Sequence, residues 1–184
     1  MPHQGYLGLP LTGASSFGGD FGFSNGTIVL NAGASLTLTD TFNASNINIV
    51  LNGGSLYLGS GLNQVFGNLA VTAASVIDFG TSGATTVRFN NVTVAGAVTL
   101  SVQNWTNYID YFFAVNSPGA QGTSPTNQVV FAGYVGSDTK WTPYTGGGKG
   151  QLTPVPEPST CGALILGGAT GLFWIRRRVS NRKA

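Results

Sequence analysis

Short apolar runs alternate with Gly, Asn, Ser and Thr along the first 150 residues. Segments such as Ser35-Leu36-Thr37-Leu38-Thr39 and Asn46-Ile47-Asn48-Ile49-Val50-Leu51 place an apolar side chain at every second position, the period of a strand with one buried face. No window of about twelve residues there joins good helix formers to apolar spacing at three and four. The body is predicted to be all-β.

The alternation also repeats. Ile28-Val29-Leu30-Asn31-Ala32-Gly33-Ala34-Ser35-Leu36 returns as Ile49-Val50-Leu51-Asn52-Gly53-Gly54-Ser55-Leu56, with weaker copies starting at Leu69 and Val92. The starts at 28, 49, 69 and 92 are 21, 20 and 23 residues apart, and the strands after them are expected at 36, 56, 76 and 98. A unit of about 21 residues with two or three short strands fits one turn of a parallel β-helix. One coil cannot bury its own apolar face, but a stack can. Leu36, Leu56, Val76 and Val98 are expected to form one interior column. Gly33, Gly53, Gly54 and Gly96 fall at corners, with Asn31 and Asn52 before them, placed to ladder from coil to coil. An antiparallel β-sandwich is the alternative, because strands every 8–12 residues suit it too.

After Trp105 the repeat fades and aromatics gather: Trp105, Tyr108, Tyr111, Phe112, Phe113, Phe131, Tyr134, Trp141 and Tyr144. A solenoid needs an end cover of different chemistry, so residues 104–150 are predicted to cap the stack, with Val129 to Tyr134 a late strand. The functional rival is a sugar-stacking platform from Trp105, Tyr108, Tyr111 and Trp141; Trp105 and Trp141 are the candidate glycan contacts. The predicted units are an incomplete N-terminal segment 1–26, solenoid repeats 27–103, the aromatic segment 104–150 and a tail 151–184.

Charge changes the picture more than composition does. Five of the eight basic residues, Arg176, Arg177, Arg178, Arg182 and Lys183, stand in the last nine positions; only Arg88, Lys140 and Lys149 precede them, against six acids. The body is thus slightly acidic, which argues against nucleic acid as a partner. Charged residues are 8 % of the chain, and there are 28 Gly and 8 Pro, an unusual balance for a cytosolic enzyme.

The tail runs VPEPSTCGALILGGATGLFWIRRRVSNRKA from Val155. Pro156 and Pro158 hold Glu157 extended between rigid neighbours. Cys161 to Ile175 carries no charge, and Arg176-Arg177-Arg178 follows at once. Fifteen helical residues span only about 22 Å of a hydrocarbon core of about 30 Å. Flanking residues and snorkelling arginines extend the reach to a thin membrane. A transmembrane helix over 159–175 is therefore expected, with the basic end 176–184 cytoplasmic.

This order of parts resembles the PEP-CTERM sorting signal of exported bacterial proteins. The resemblance implies recognition by an exosortase, a membrane cysteine transpeptidase, through Val155, Pro156, Glu157 and Pro158, with Arg176, Arg177 and Arg178 as the stop-transfer cluster. It further implies transient anchoring in the inner membrane, then delivery to the surface or matrix of a Gram-negative bacterium, in association with exopolysaccharide. The body is similar, less specifically, to autotransporter-like β-helix repeats, and Phe131-Ala132-Gly133-Tyr134 matches a segment found ahead of such tails. Exported members carry a signal peptide, which MPHQGYLGLP does not resemble, so a start upstream of Met1 is expected.

Candidate chemistry is sparse. A polysaccharide lyase or hydrolase would need clustered acids with a base or metal, and Asp40, Asp78 and Arg88 each stand alone in their segments. His3 has no Ser or Asp partner nearby. Cys161 lies inside the apolar run, as a small filler or a lipidation site. Gly146-Gly147-Gly148-Lys149-Gly150 lacks the context of a phosphate loop. The four Asn-x-Ser/Thr sequons, at Asn25, Asn43, Asn91 and Asn104, are what chance gives in so Asn- and Thr-rich a chain. The expectation is a non-enzymatic, exported structural or adhesive protein without metal or cofactor, with a polysaccharide-binding module as the alternative.

Overall fold

The computed structural model describes residues 7–18, 25–121, 123–134, 138–144 and 149–155. The chain winds as a parallel β-solenoid of about four turns. A first partial coil holds β1 (Leu7–Leu11) and β2 (Ala14–Phe17). Three strands per coil follow: β3 (Gly26–Asn31), β4 (Ser35–Leu38) and β5 (Phe42–Ala44); β6 (Ile47–Asn52), β7 (Ser55–Tyr57) and β8 (Asn63–Phe66); β9 (Leu69–Ala73), β10 (Ser75–Asp78) and β11 (Thr86–Phe89); β12 (Val92–Val94), β13 (Leu100–Gln103) and β14 (Tyr111–Ala114). A single 3-10 turn, Thr126–Gln128, leads into β15 (Val129–Phe131), and the hairpin of β16 (Thr139–Tyr144) and β17 (Lys149–Pro154) ends the described body.

Each strand pairs with its counterpart one coil away, giving three sheets: β1-β3-β6-β9-β12, β2-β4-β7-β10-β13-β15 and β5-β8-β11-β14-β17-β16. Every pairing between coils is parallel; only β17, on β14 and on β16, is antiparallel. The parallel ladders rule out the antiparallel sandwich.

The expected strand starts of the first sheet stack as the repeat predicts, Ile28 on Ile49, Ile49 on Leu69 and Leu69 on Val92. All four side chains are buried. In the second sheet Leu36 lies on Leu56, but the column then continues through Ile77, Val102 and Phe131. Val76 and Val98 are not in it. Val76 faces outward and Val98 lies in the corner before β13. For Val98 the cause is a longer corner, since Val94 opposes Val71 but Val102, not a residue two nearer, opposes Ile77. For Val76 it is a shift between β6 and β9, where Leu51 opposes Val71 but Asn52 opposes Ala73. One extra residue flips the face of everything after it. Ser75 then turns inward, where its hydroxyl accepts from the Gly53 N–H at 3.0 Å and donates to the Ala73 carbonyl at 2.7 Å.

The third sheet supplies the aromatic half of the core. Phe66 and Phe89 stack in successive coils with ring centroids 5.9 Å apart, and Phe112, from the adjacent column, meets Phe89 edge-on at 6.0 Å. Its other column, Phe42, Gln64, Val87, Phe112 and Leu152, contains one polar member. Gln64 is fully buried, with its oxygen accepting from Phe42 N–H and its amide donating to the Asp40 and Leu58 carbonyls.

Corners carry the chemistry expected of them. Gly33, Gly53 and Gly96 have positive φ, and a Cβ on Gly54 would lie 2.6 Å from that of Leu30. Asn52 donates to the Asn31 side chain at 3.1 Å. A second ladder runs at another corner, from Asn116 to Asn91 at 2.8 Å and from Asn91 to Asn68 at 2.6 Å, while the Asn68 N–H donates to Asn48.

The expected transmembrane helix over 159–175, the residues Pro156, Glu157 and Pro158, and Arg176, Arg177 and Arg178 lie outside the described residues. Among the described residues no helix is long and apolar enough to cross a membrane.

Candidate functional site

The hairpin that ends the solenoid also builds its most structured outer surface. Alternation along β14 turns Phe112 and Ala114 into the core and aims Tyr111 and Phe113 at the opposite, outer face, where Tyr111 is half-buried and Phe113 is covered by its neighbours. The same rule puts Lys149, Gln151 and Thr153 of β17, and Lys140, Thr142 and Tyr144 of β16, on that outer face, since Phe113 opposes Gln151 and Tyr144 opposes Lys149. Three strands thus display one continuous patch of rings, lysines and neutral polar groups.

The rings brace one another. Tyr111 and Phe113 stack at 5.5 Å with 10° between planes, and Tyr144 meets both edge-on at 6.0 and 5.1 Å. Lys149 Nζ lies 4.2 Å from the Phe113 ring centroid, within cation–π range.

Beside this patch stands the loop between β13 and β14. Trp105 anchors it in the core, 5 % exposed and edge-on to Phe131 at 4.9 Å and Tyr134 at 5.6 Å. Asp110, also buried, ties it down: its carboxylate accepts from Thr106 N–H at 2.7 Å and from Thr85 N–H at 2.9 Å. Between these anchors Tyr108 is 85 % exposed with φ of 65°, a left-handed conformation uncommon for a bulky residue. Tyr111 Oη donates to the Tyr108 carbonyl at 3.4 Å. Loop and hairpin enclose an open groove of about 260 Å³, whose walls include Asn107, Tyr108, Tyr111, Lys140, Tyr144 and Gln151.

The structure divides the predicted platform. Tyr108 and Tyr111 come together in the groove. Trp105 and Trp141 do not join them: Trp105 is a core residue. Trp141 faces inward opposite Leu152, over Gly150, with its indole N–H donating to the Ala114 carbonyl at 3.2 Å. Both indoles serve the end cover. Tyr144 and Lys140 are the members that residue type alone misses. The signal for them is the i, i+2 pattern Lys140-Thr142-Tyr144, which marks one face of a strand.

Acids and Arg88 are dispersed. Asp78 lies on the second sheet and Arg88 on the third. Asp78 accepts from Gly80 N–H and from the Asn104 amide, both at 2.8 Å. Arg88 Nε is buried without a hydrogen-bond partner. Among the described residues no group of three His, Cys, Asp or Glu is placed to hold a metal ion. Of the sorting motif, only Val155 is described; its N–H donates to the Asp138 carbonyl at 2.6 Å.

Comparison of this chain with family models, curated proteins and solved structures finds no match.

Proposed function

We propose that this chain is a non-enzymatic structural or adhesive protein, exported and sorted to the cell surface or extracellular matrix by its C-terminal signal, which an exosortase reads and processes. The observation that carries the reading is the order of the tail: Val155-Pro156-Glu157-Pro158, an uncharged run to Ile175, then Arg176-Arg177-Arg178. The position of the body supports it, since β17 ends at Pro154 and processing beyond the motif cuts none of the described strands. In this account the tail spans the inner membrane transiently with its basic end in the cytoplasm, and the β-body is cargo. The carboxylates of Asp78, accepting from the Gly80 N–H and the Asn104 amide, and of Asp110, accepting from two backbone N–H groups, suit a scaffold.

The test is delivery in the native host. Glu157→Ala, or deletion of Arg176 to Arg178, is expected to leave the β-body folded and the protein absent from the surface fraction. Normal surface delivery of both variants overturns the assignment. A second reading, a polysaccharide-binding module, is favoured by one feature, the tyrosine-walled groove at the capped end.

A further inference from the structure

We propose that the groove between the β13–β14 loop and the terminal hairpin binds an acidic polysaccharide, with Tyr108 and Tyr111 against sugar faces and Lys140 on a carboxylate. The proposal rests on the polysaccharide-binding reading and adds the ligand's charge and the residues that hold it.

The groove wall is of one chemical kind. Tyrosines offer flat apolar faces that end in hydroxyls, while Asn107 and Gln151 supply amide donors and acceptors. A pyranose ring needs this mixture, having an apolar C–H face and a rim of hydroxyls. Aliphatic side chains, which an apolar peptide or a lipid tail would need, are absent from the wall apart from two prolines. At about 260 Å³ and open along its length, the groove is smaller than the ~300–1,000 Å³ typical of enclosed small-molecule pockets. That shape suits a unit of a longer chain that passes through.

Charge fixes the sign of the ligand. The basic residues among those described are Arg88, Lys140 and Lys149, and strand alternation puts all three on the outer face of the third sheet. No Asp or Glu lies on the strands of that sheet or along the groove wall. Lys140 stands in the groove itself; Lys149 and Arg88 flank Phe113, Lys149 over its ring and Arg88 opposite it in the neighbouring strand. On a body whose formal charge is otherwise negative, a cationic face that repels no polyanion is a selective feature.

The site is also built in advance. Asp110 and Trp105 fix the loop from both ends, and Tyr108 is held outward in a conformation that gains nothing from packing, at 85 % exposure. Strained residues over-determined by their surroundings concentrate at ligand sites, and a pre-ordered wall spares a ligand the cost of ordering it.

The experiment is calorimetric titration of the full chain in detergent with oligogalacturonate and with a neutral oligosaccharide of equal length, maltohexaose. Oligogalacturonate is expected to bind, and to weaken as salt is raised from 0.05 to about 0.5 M, where screening falls to a few ångströms. Tyr108→Ala is expected to lose about tenfold or more in affinity, as removal of a central aromatic contact does. Lys140→Gln should lower affinity for oligogalacturonate and remove most of its salt dependence. Tyr57→Ala, on the second sheet, should bind as the unaltered chain does. Equal or tighter binding of maltohexaose overturns the charge assignment while leaving sugar binding intact. Failure of both sugars to bind overturns the polysaccharide reading with it, and an equal loss in Tyr57→Ala overturns the location.

Discussion

Single side chains carry unequal loads in this molecule. Gln64 satisfies three backbone groups from inside an apolar column. Gln64→Leu keeps the volume but orphans one N–H and two carbonyls, so unfolding free energy should fall by about 2–4 kcal/mol in a denaturant titration. Tyr108 is the opposite case, a residue whose backbone is strained and whose side chain packs little. Tyr108→Asn, which tolerates φ of 65° far better, is expected to raise stability by about 0.5–1 kcal/mol, read as a higher midpoint in the same titration, while sugar binding is lost. A stability gain joined to a loss of binding is the mark of a residue kept for contact. Sequence alone groups Tyr108 and Tyr111 with Trp105 and Trp141 and names the two tryptophans as the glycan contacts. Aromatic type does not say which way a ring points. The neighbours that decide it, Phe131 and Tyr134 for Trp105 and Gly150 for Trp141, are 29 or fewer residues away in sequence but meet them only when the coil or the hairpin closes.

Among the elements, stacking is legible wherever identical residues recur. Ile28 and Ile49, or Leu36 and Leu56, align because their copies are nearly the same string, and the corner pair Asn31 and Asn52 follows with them. Alignment fails at Val76 because the shift opposite Asn52 adds a residue and apolar letters at both Val76 and Ile77 satisfy either parity. It fails at Val98 because the corner after Val94 is longer still, so that Val102 takes the column. The third strand of each coil escapes the repeat altogether. Its inward column mixes Phe42, Gln64, Val87 and Phe112, alike in burial but not in type. The asparagine ladder is hidden for another reason: Asn68, Asn91 and Asn116 occur 23 and 25 residues apart in a chain rich in Asn. Asn91 is its middle rung, both donor and acceptor. Asn91→Ala should cost about 1–2 kcal/mol, two exposed hydrogen bonds at roughly 0.5–1.5 kcal/mol each less what water restores, checked by thermal unfolding against Asn107→Ala as a surface control. The last elements show how a parallel stack ends. β17 reverses direction on β14, and β16 leaves as the free edge a strand with Lys140 and Pro143, residues that discourage further pairing.

On the proposed reading, the whole molecule separates cargo from address. The contacts of the solenoid run mostly between neighbouring coils, so its stability is approximately a sum of coil-to-coil interfaces. The basic residues divide the same way: three on the outer face of one sheet, five in the last nine positions. The β-body, with its tyrosine-walled groove, is read from structure; the proposed sorting signal rests on the sequence order of a Pro-Glu-Pro motif, an uncharged run and an arginine cluster. Under the proposed function, delivery to the surface links the two, because the proposed groove for an acidic polysaccharide has a use only where such a polymer is. Peptide mass mapping of the protein recovered from the extracellular matrix of its native host tests that link most directly. The account predicts a mature chain that retains the hairpin through Pro154 and lacks the peptides of Arg176 to Ala184; recovery of the intact C-terminus from the matrix, or of the protein solely from the cytoplasm, contradicts it.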